Sequence, residues 1–333
     1  VRRDLRLYPP DGDRRDGGRD DGDDEVRRPG RTEPTMWNVL DATDRPIVAG
    51  IDGRPESEAA LHWAVAAARA RRTPLRVVLV ADASELQRYV PYRPDVHGET
   101  FMVPARPHRH PSDDDLDRAV AIARLHLPPG AVTGRRAPGA AATALIEDSA
   151  DAAMLVVGTR RRGPLAAAAL GSVSATVAAH ARCPVVVVGA EPPGSGAGLP
   201  VVAGIADDRA ADGVLDFAFR EASVRRVPLT VLHAGRADPG LAPRLANYAS
   251  RYRDVPVTAH LSGDGAAEAL TAASARAQLV VVGSRRRGRV AGLVLGSVGR
   301  QLLHEAGCPV AVVHPARART PRRTVVRPAE APL

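Results

Sequence analysis

Short apolar runs alternate with helix-period segments along most of this chain, and the whole series occurs twice. PIVAGID (46–52) is an apolar run ending in Gly and Asp, the pattern of a strand covered on both faces. SEAALHWAVAAARARR (57–72) places Leu61, Ala64, Val65 and Ala68 on one helical face and ends in arginines. PLRVVLVADA (74–83) reads as a second strand. The series returns as PVVAGIA (200–206), DGVLDFAFREASVRR (212–226) and PLTVLHAG (228–235), displaced by 154 residues. Each copy then continues with helix, strand (MLVVG 154–158; LVVVG 279–283), arginine-rich turn, helix and strand (PVVVV 184–188; PVAVV 309–313), now 125 residues apart. Residues 156–188 and 281–313 align without a gap and match at eighteen of thirty-three positions, so the unit is duplicated. Non-alternating strands separated by helices predict an α/β fold, with a mostly parallel sheet and helices on both faces in each copy.

The change of spacing leaves 29 extra residues in the first copy, around 84–115, a stretch rich in Pro, His and Asp. It reads as a long surface loop or lid with a short helix near 113–126. The boundaries that follow are a disordered extension over 1–43, domain 1 over 44–190, a linker over 191–199, domain 2 over 200–315 and a disordered tail over 316–333. The first 35 residues are mostly Arg, Asp, Gly and Pro and bury too little surface to order themselves. Met36, just before the first structured segment, is the expected translation start.

Composition narrows the class. At 333 residues the chain can hold two separate cores. All 46 basic residues are arginine, and the net charge is +8. The arginines are spread among 38 acids and aromatics make up only 3%, so a basic element with stacking surfaces for nucleic acid is missing. No N-terminal apolar run has signal-peptide form, and the most apolar stretch (164–181) is interrupted by Ser172, Ser174, Thr176 and His180. A cytoplasmic protein with neither nucleic acid nor membrane as partner is expected. Cys183 and Cys308 occupy the same place in the two copies and read as buried core residues without metal-ligand spacing. Trp63 and Phe217 occupy matching helix positions and read as packing residues. His97, His108 and His110 lie in the Pro-rich stretch without fixed spacing and read as exposed side chains, so no metal site is expected.

In open parallel sheets, ligands settle at the carboxyl ends of strands near the switch in strand order. There, in the first copy, Gly158 ends a strand and opens a turn. Gly171 and Ser172 begin the next helix, whose free N–H groups favour phosphate. Ser172 and Ser174 add hydroxyl donors, and Asp52 is an acceptor suited to an adenine amino group or ribose hydroxyl. The passage is neither a Walker A loop, since lysine is absent, nor a Rossmann fingerprint, since its glycines do not fall as GxGxxG.

IVAGIDGRPESEAALHWA, followed by LVVGTRRRG, LGSVS and CPVVVV, resembles the universal stress protein family, in its tandem form, over about 44–190 and 200–315. The resemblance implies two Rossmann-like domains, each with a five-stranded sheet, that pair through their last strands as an internal pseudo-dimer, with further homodimerisation open. It also implies ATP, with Mg²⁺, held in one branch of the family by a G-x2-G-x9-G-(S/T) loop. Gly158, Gly171 and Ser172 match that loop, Ser174 its second hydroxyl, and Asp52 its adenine-contacting acid. Thr159 and Val173 fall within the same frame. Arg161 stands at the middle glycine, with Gly163 two positions later. Arg160 and Arg161 either clamp the phosphates or block the site. In the second copy Gly283, Ser284, Gly296 and Ser297 are in place and Arg286 repeats the arginine, but Ala206 replaces Asp52 and Gly299 replaces Ser174. That site is expected to be weaker or empty.

The expected function is therefore a nucleotide-binding stress-response regulator with an unidentified protein partner. No catalytic constellation is assembled by equivalent positions, so it is not expected to be an enzyme, although slow ATP hydrolysis is conceivable. The alternative is a nucleotide-independent interaction module whose arginines have closed both sites.

Overall fold

The computed structural model describes residues 4–7, 45–81, 89–91, 102–104, 111–159, 172–189, 198–206, 211–234, 240–262, 265–284 and 295–314. In chain order the strands are β1 (Asp4–Leu7), β2 (Ile47–Ile51), β3 (Leu75–Ala81), β4 (Tyr89–Pro91), β5 (Met102–Pro104), β6 (Val132–Pro138), β7 (Met154–Thr159), β8 (Val185–Gly189), β9 (Val201–Ile205), β10 (Leu229–Ala234), β11 (Val257–Ser262), β12 (Leu279–Gly283) and β13 (Val310–Val313). The helices are α1 (Pro55–Arg71), α2 (Asp113–Arg124), α3 (Ala141–Asp148), α4 (Ser172–His180), α5 (Ala211–Arg225), α6 (Leu241–Arg251), α7 (Ala266–Ser274) and α8 (Ser297–Glu305).

Eleven strands form one continuous sheet in the order β1-β11-β10-β9-β12-β13-β8-β7-β2-β3-β6. Strands β9 to β13 are parallel to one another, as are β2, β3, β6, β7 and β8. The two sets meet where β13 pairs antiparallel with β8, Ala311 opposite Val186. Both follow the same internal order, so the sequence repeat is a structural repeat. Successive strand residues are buried to opposite faces. Ile47, Ala49 and Ile51 join a core shared with α1, α2, α5 and α6, whereas Val48 joins the core under α3, α4, α7 and α8.

Helix α1 starts two residues earlier than the apolar pattern alone suggests, because Pro55 sits comfortably in a first turn. Glu56 and Glu58 lie at its positive end, and Arg69 and Arg71 at its negative end. The four residues assigned to its inner face are all buried.

Two readings of the sequence need correction. Asp4–Leu7 lies within the extension expected to be disordered, yet it pairs antiparallel with the edge strand β11. That pairing uses unpaired backbone groups of an edge and needs no apolar core of its own. The stretch read as one long loop contains β4 and β5, paired antiparallel, before α2 begins close to where it was expected. His97, His108, His110, the linker residues 191–197, Met36 and the tail after His314 lie outside the described residues.

Both cysteines are buried and unbridged. Burial pushes the Cys183 thiol up to about 12, with Arg45 pulling weakly the other way. A thiol-specific disulfide reagent at neutral pH should therefore label neither cysteine in the native chain and both after unfolding. Because the folded state holds the Cys183 proton more tightly than the unfolded chain, the thiol's contribution to stability is present below about pH 9. It is lost as pH rises toward 12. Rapid native labelling of Cys183 would contradict its placement.

Candidate functional site

The switch in strand order of the first half lies between β2 and β7. From β2 the chain crosses by α1 to β3 on one side; from β7 it crosses by α4 to β8 on the other. Parallel pairing of Gly50 with Val157 brings the two carboxyl ends together. Asp52 leaves β2 there and folds back on its own connection. Its Oδ1 accepts the Arg54 N–H (3.1 Å), and its own N–H donates to Ser57 Oγ (3.3 Å). The Ser57 hydroxyl donates to the Arg54 carbonyl (2.8 Å), and Arg54 Nε lies 3.7 Å from Asp52 Oδ2. This is an Asx-type turn that fixes the carboxylate while leaving its side chain 47% exposed. Sequence reading missed Arg54 and Ser57, although an Asp followed by Gly two residues before a helix is a visible turn signal.

A small cleft, largely open to solvent, lies beside this turn between α1 and α2. Ile51, Leu61, Ala119 and Ile122 give it apolar walls; Arg54, Ser57, Asp115 and Arg118 supply polar groups. Asp115 is itself buried, closing a capping box at the start of α2 by accepting from the Ser112 N–H (2.8 Å) and hydroxyl (3.0 Å).

Gly158, read as an opening for a phosphate, meets protein instead. A Cβ there would stand 2.3 Å from the Glu56 carbonyl oxygen and 2.8 Å from Ser57 N. The missing side chain lets α1 reach β7. Thr159 and Ser174 are brought together by a hydroxyl–hydroxyl hydrogen bond (3.3 Å), and both are buried. They tie β7 to α4 and are turned away from solvent. Val173 is partly buried, and Ser172 at the first position of α4 is exposed. Arg160, Arg161, Gly163 and Gly171 lie outside the described residues.

The model of the universal stress protein family matches residues 44–189 and 246–314. A universal stress protein of Mycobacterium tuberculosis (strain CDC 1551 / Oshkosh) is 36% identical over 295 residues, covering 80% of this chain and 95% of the relative. The chain belongs to the universal stress protein family. A Mycobacterium bovis universal stress protein is 34% identical over 80% of this chain and 96% of its own length. Among solved structures, a universal stress protein from Archaeoglobus fulgidus DSM 4304 shares the fold, with a TM-score of 0.59 at 18% identity over 81% of this chain and 98% of that one.

The second half of this universal stress protein is built differently at the corresponding place. Ala206 carries no acceptor at the end of β9. Gly296 caps α8, and Ser297 is exposed as Ser172 is. Ser284, the counterpart of Thr159, is buried, and its hydroxyl lies 2.8 Å from His314 Nδ1. The place of the absent Ser174 counterpart is taken up: a Cβ on Gly299 would stand 2.9 Å from a Leu295 methyl. Gly283 ends β12 next to this pair. Among the described residues, no group of three His, Cys, Asp or Glu side chains could hold a metal ion, and no helix is long and apolar enough to cross a membrane.

Proposed function

We propose that this universal stress protein is a cytoplasmic, non-enzymatic regulator that holds an adenine nucleotide, ATP with Mg²⁺, in its first half. The bound nucleotide would set which protein partner it meets. The asymmetry between the two switch points carries the reading. In the first half a fixed, half-exposed carboxylate adjoins a cleft with apolar walls, and Ser172, exposed like its counterpart Ser297, opens α4. In the second half the carboxylate is replaced by Ala206, and the Ser284 hydroxyl is engaged by His314. Asp52 would accept from the adenine amino group or the ribose. Ser172 and the first N–H groups of α4 would meet phosphate. Mg²⁺ would arrive coordinated by the phosphates, since no protein ligand cluster is present among the described residues. Ser284, the partner of His314, is only 1% exposed, which supports the non-enzymatic reading.

Calorimetric titration of ATP and Mg²⁺ into the full chain tests this. One site per chain is expected, weakened about tenfold or more in both Asp52→Ala and Ser172→Ala, as befits loss of one hydrogen bond to a charged group. Two equal sites would contradict the asymmetry. A second reading, a nucleotide-independent interaction module, is favoured by the inward-turned Thr159 and Ser174 and by the close contact at Gly158. Absence of binding heat, together with absence of nucleotide in the purified protein, would establish it in place of the first.

A further inference from the structure

Helices α1 and α5 pack against each other across the junction of the two halves, and the repeat relates their facing positions: 71 to 225, 67 to 221 and 63 to 217. Arginine stands at both members of the first pair and an aromatic residue at both members of the third. The second pair breaks the symmetry, with Ala67 in one half and Glu221 in the other. Glu221 is 1% exposed, and its carboxylate is divided between the halves. Oε1 accepts from the Arg71 guanidinium, and Oε2 from Arg225 Nε at 3.2 Å. Arg71 also donates to the Ala67 carbonyl (3.0 Å), and the Arg225 guanidinium lies over the Trp63 ring, 5.0 Å from its centroid. Burial pulls Arg225 below the usual guanidinium range, with Glu221 opposing.

One shared carboxylate for two desolvated guanidiniums is a combination that only unlike halves provide. We propose that Glu221 selects the partner of the first half, admitting the second half and excluding another first half. In a pairing of two first halves the same packing would bring together two Arg71 side chains and two alanines. Both cations would then be buried without a carboxylate, the costliest arrangement for desolvated charge. Two second halves would carry two acids for two arginines. Any like-with-like assembly of two chains thus contains one interface with two buried guanidiniums and no carboxylate, whereas in the unlike pair both guanidiniums share the Glu221 carboxylate. Tethering through a short linker makes the selected partner the half on the same chain. The exclusion matters most during synthesis, when the first half is complete and its partner is not. This selection is independent of any ligand.

Full-length variants test it. Glu221→Gln keeps the shape and removes the charge, and its thermal midpoint should fall by several degrees; an unchanged midpoint overturns the proposal. Arg71→Leu/Glu221→Leu/Arg225→Leu removes all three charges and should fold with a midpoint at or above wild type. When it is unfolded in denaturant and refolded at high chain concentration, light scattering should find several-fold more chain in dimers and larger species than in wild type treated alongside. Equal fractions overturn partner selection. If the triple variant does not fold, Glu221→Gln refolded in the same way carries the comparison, since it too has lost the acid that distinguishes unlike from like pairs.

Discussion

Replacing Gly158 with alanine is expected to lower the free energy of unfolding by about 3 kcal/mol, the upper part of the range for overpacking a tight site. The added Cβ would stand 2.3 Å from the Glu56 carbonyl oxygen, 2.5 Å from its carbon and 2.8 Å from Ser57 N. These are backbone atoms, so no change of rotamer relieves the overlap. Helix α1 must withdraw from β7, and with it Ala60, Leu61 and Ala64, all of them core residues. A denaturant titration should show a lower midpoint at unchanged slope. A loss below about 1 kcal/mol would mean that α1 is free to shift. Gly213, near the start of α5, is the control. A Cβ there meets a Val313 methyl at 3.6 Å and the His314 carbonyl oxygen at 4.0 Å, both ordinary contacts, so alanine should be neutral or stabilising by up to about 1 kcal/mol. Because Asp52 and Ser57 lie on the same connection as the displaced turn, the Gly158 variant should also lose nucleotide affinity if the proposed site is correct.

Phe219→Ala should cost about 3–5 kcal/mol, as truncation of a fully buried aromatic side chain does. Phe219 is 0% exposed and stacks on Tyr248 (centroids 5.3 Å, planes 15° apart) and on Tyr252 (5.6 Å, 27°). Both tyrosines belong to the α6 end of the second half, and the Tyr248 hydroxyl donates to the Asp212 carbonyl (3.0 Å). Removing the ring takes from α6 the surface on which Tyr248 and Tyr252 stack. Hydrogen exchange over Leu241–Arg251 should rise well before that of β9 or β12, and the midpoint of that half should fall by about 10 °C. Uniform acceleration across both halves would instead show that α6 is not a separate unit of stability. Phe219→Leu, which refills most of the volume, should lose much less.

The buried strands were legible because a strand covered on both faces needs a continuous apolar run, and β2, β7 and β8 supply one, as do their repeats. Strand β6 was not located. Thr133 to Arg136 are exposed, and Arg135 and Arg136 make ion pairs with Asp148 and Asp113, so its identity lies in its pairing with β3 rather than in its own pattern. Asp52 and Ser172 were legible as residues at strand and helix ends. The reason for Gly158 was not, because a sequence shows that a side chain is missing without showing which backbone approaches. Ser174 is an intermediate case: it precedes Val177 and Ala178 by three and four residues and so lies on the buried face of α4, a phase that the sequence contains. Glu221 was invisible for a different reason, since its significance rests on the Arg71 of the other half, 150 residues away.

The antiparallel seam between β8 and β13 reverses the sense of the whole second set of strands. The ends from which Asp52 and Ala206 emerge therefore open at opposite rims of one slab, facing away from each other. No single small molecule can bridge them, and a flat partner surface can read one rim at a time. Any coupling between the two rims would have to cross the sheet through packed strands and helices, not through a shared mouth. A homodimer that placed like rims together would double one opening and leave the other outermost, giving the assembly distinct inner and outer ports from a single duplicated design.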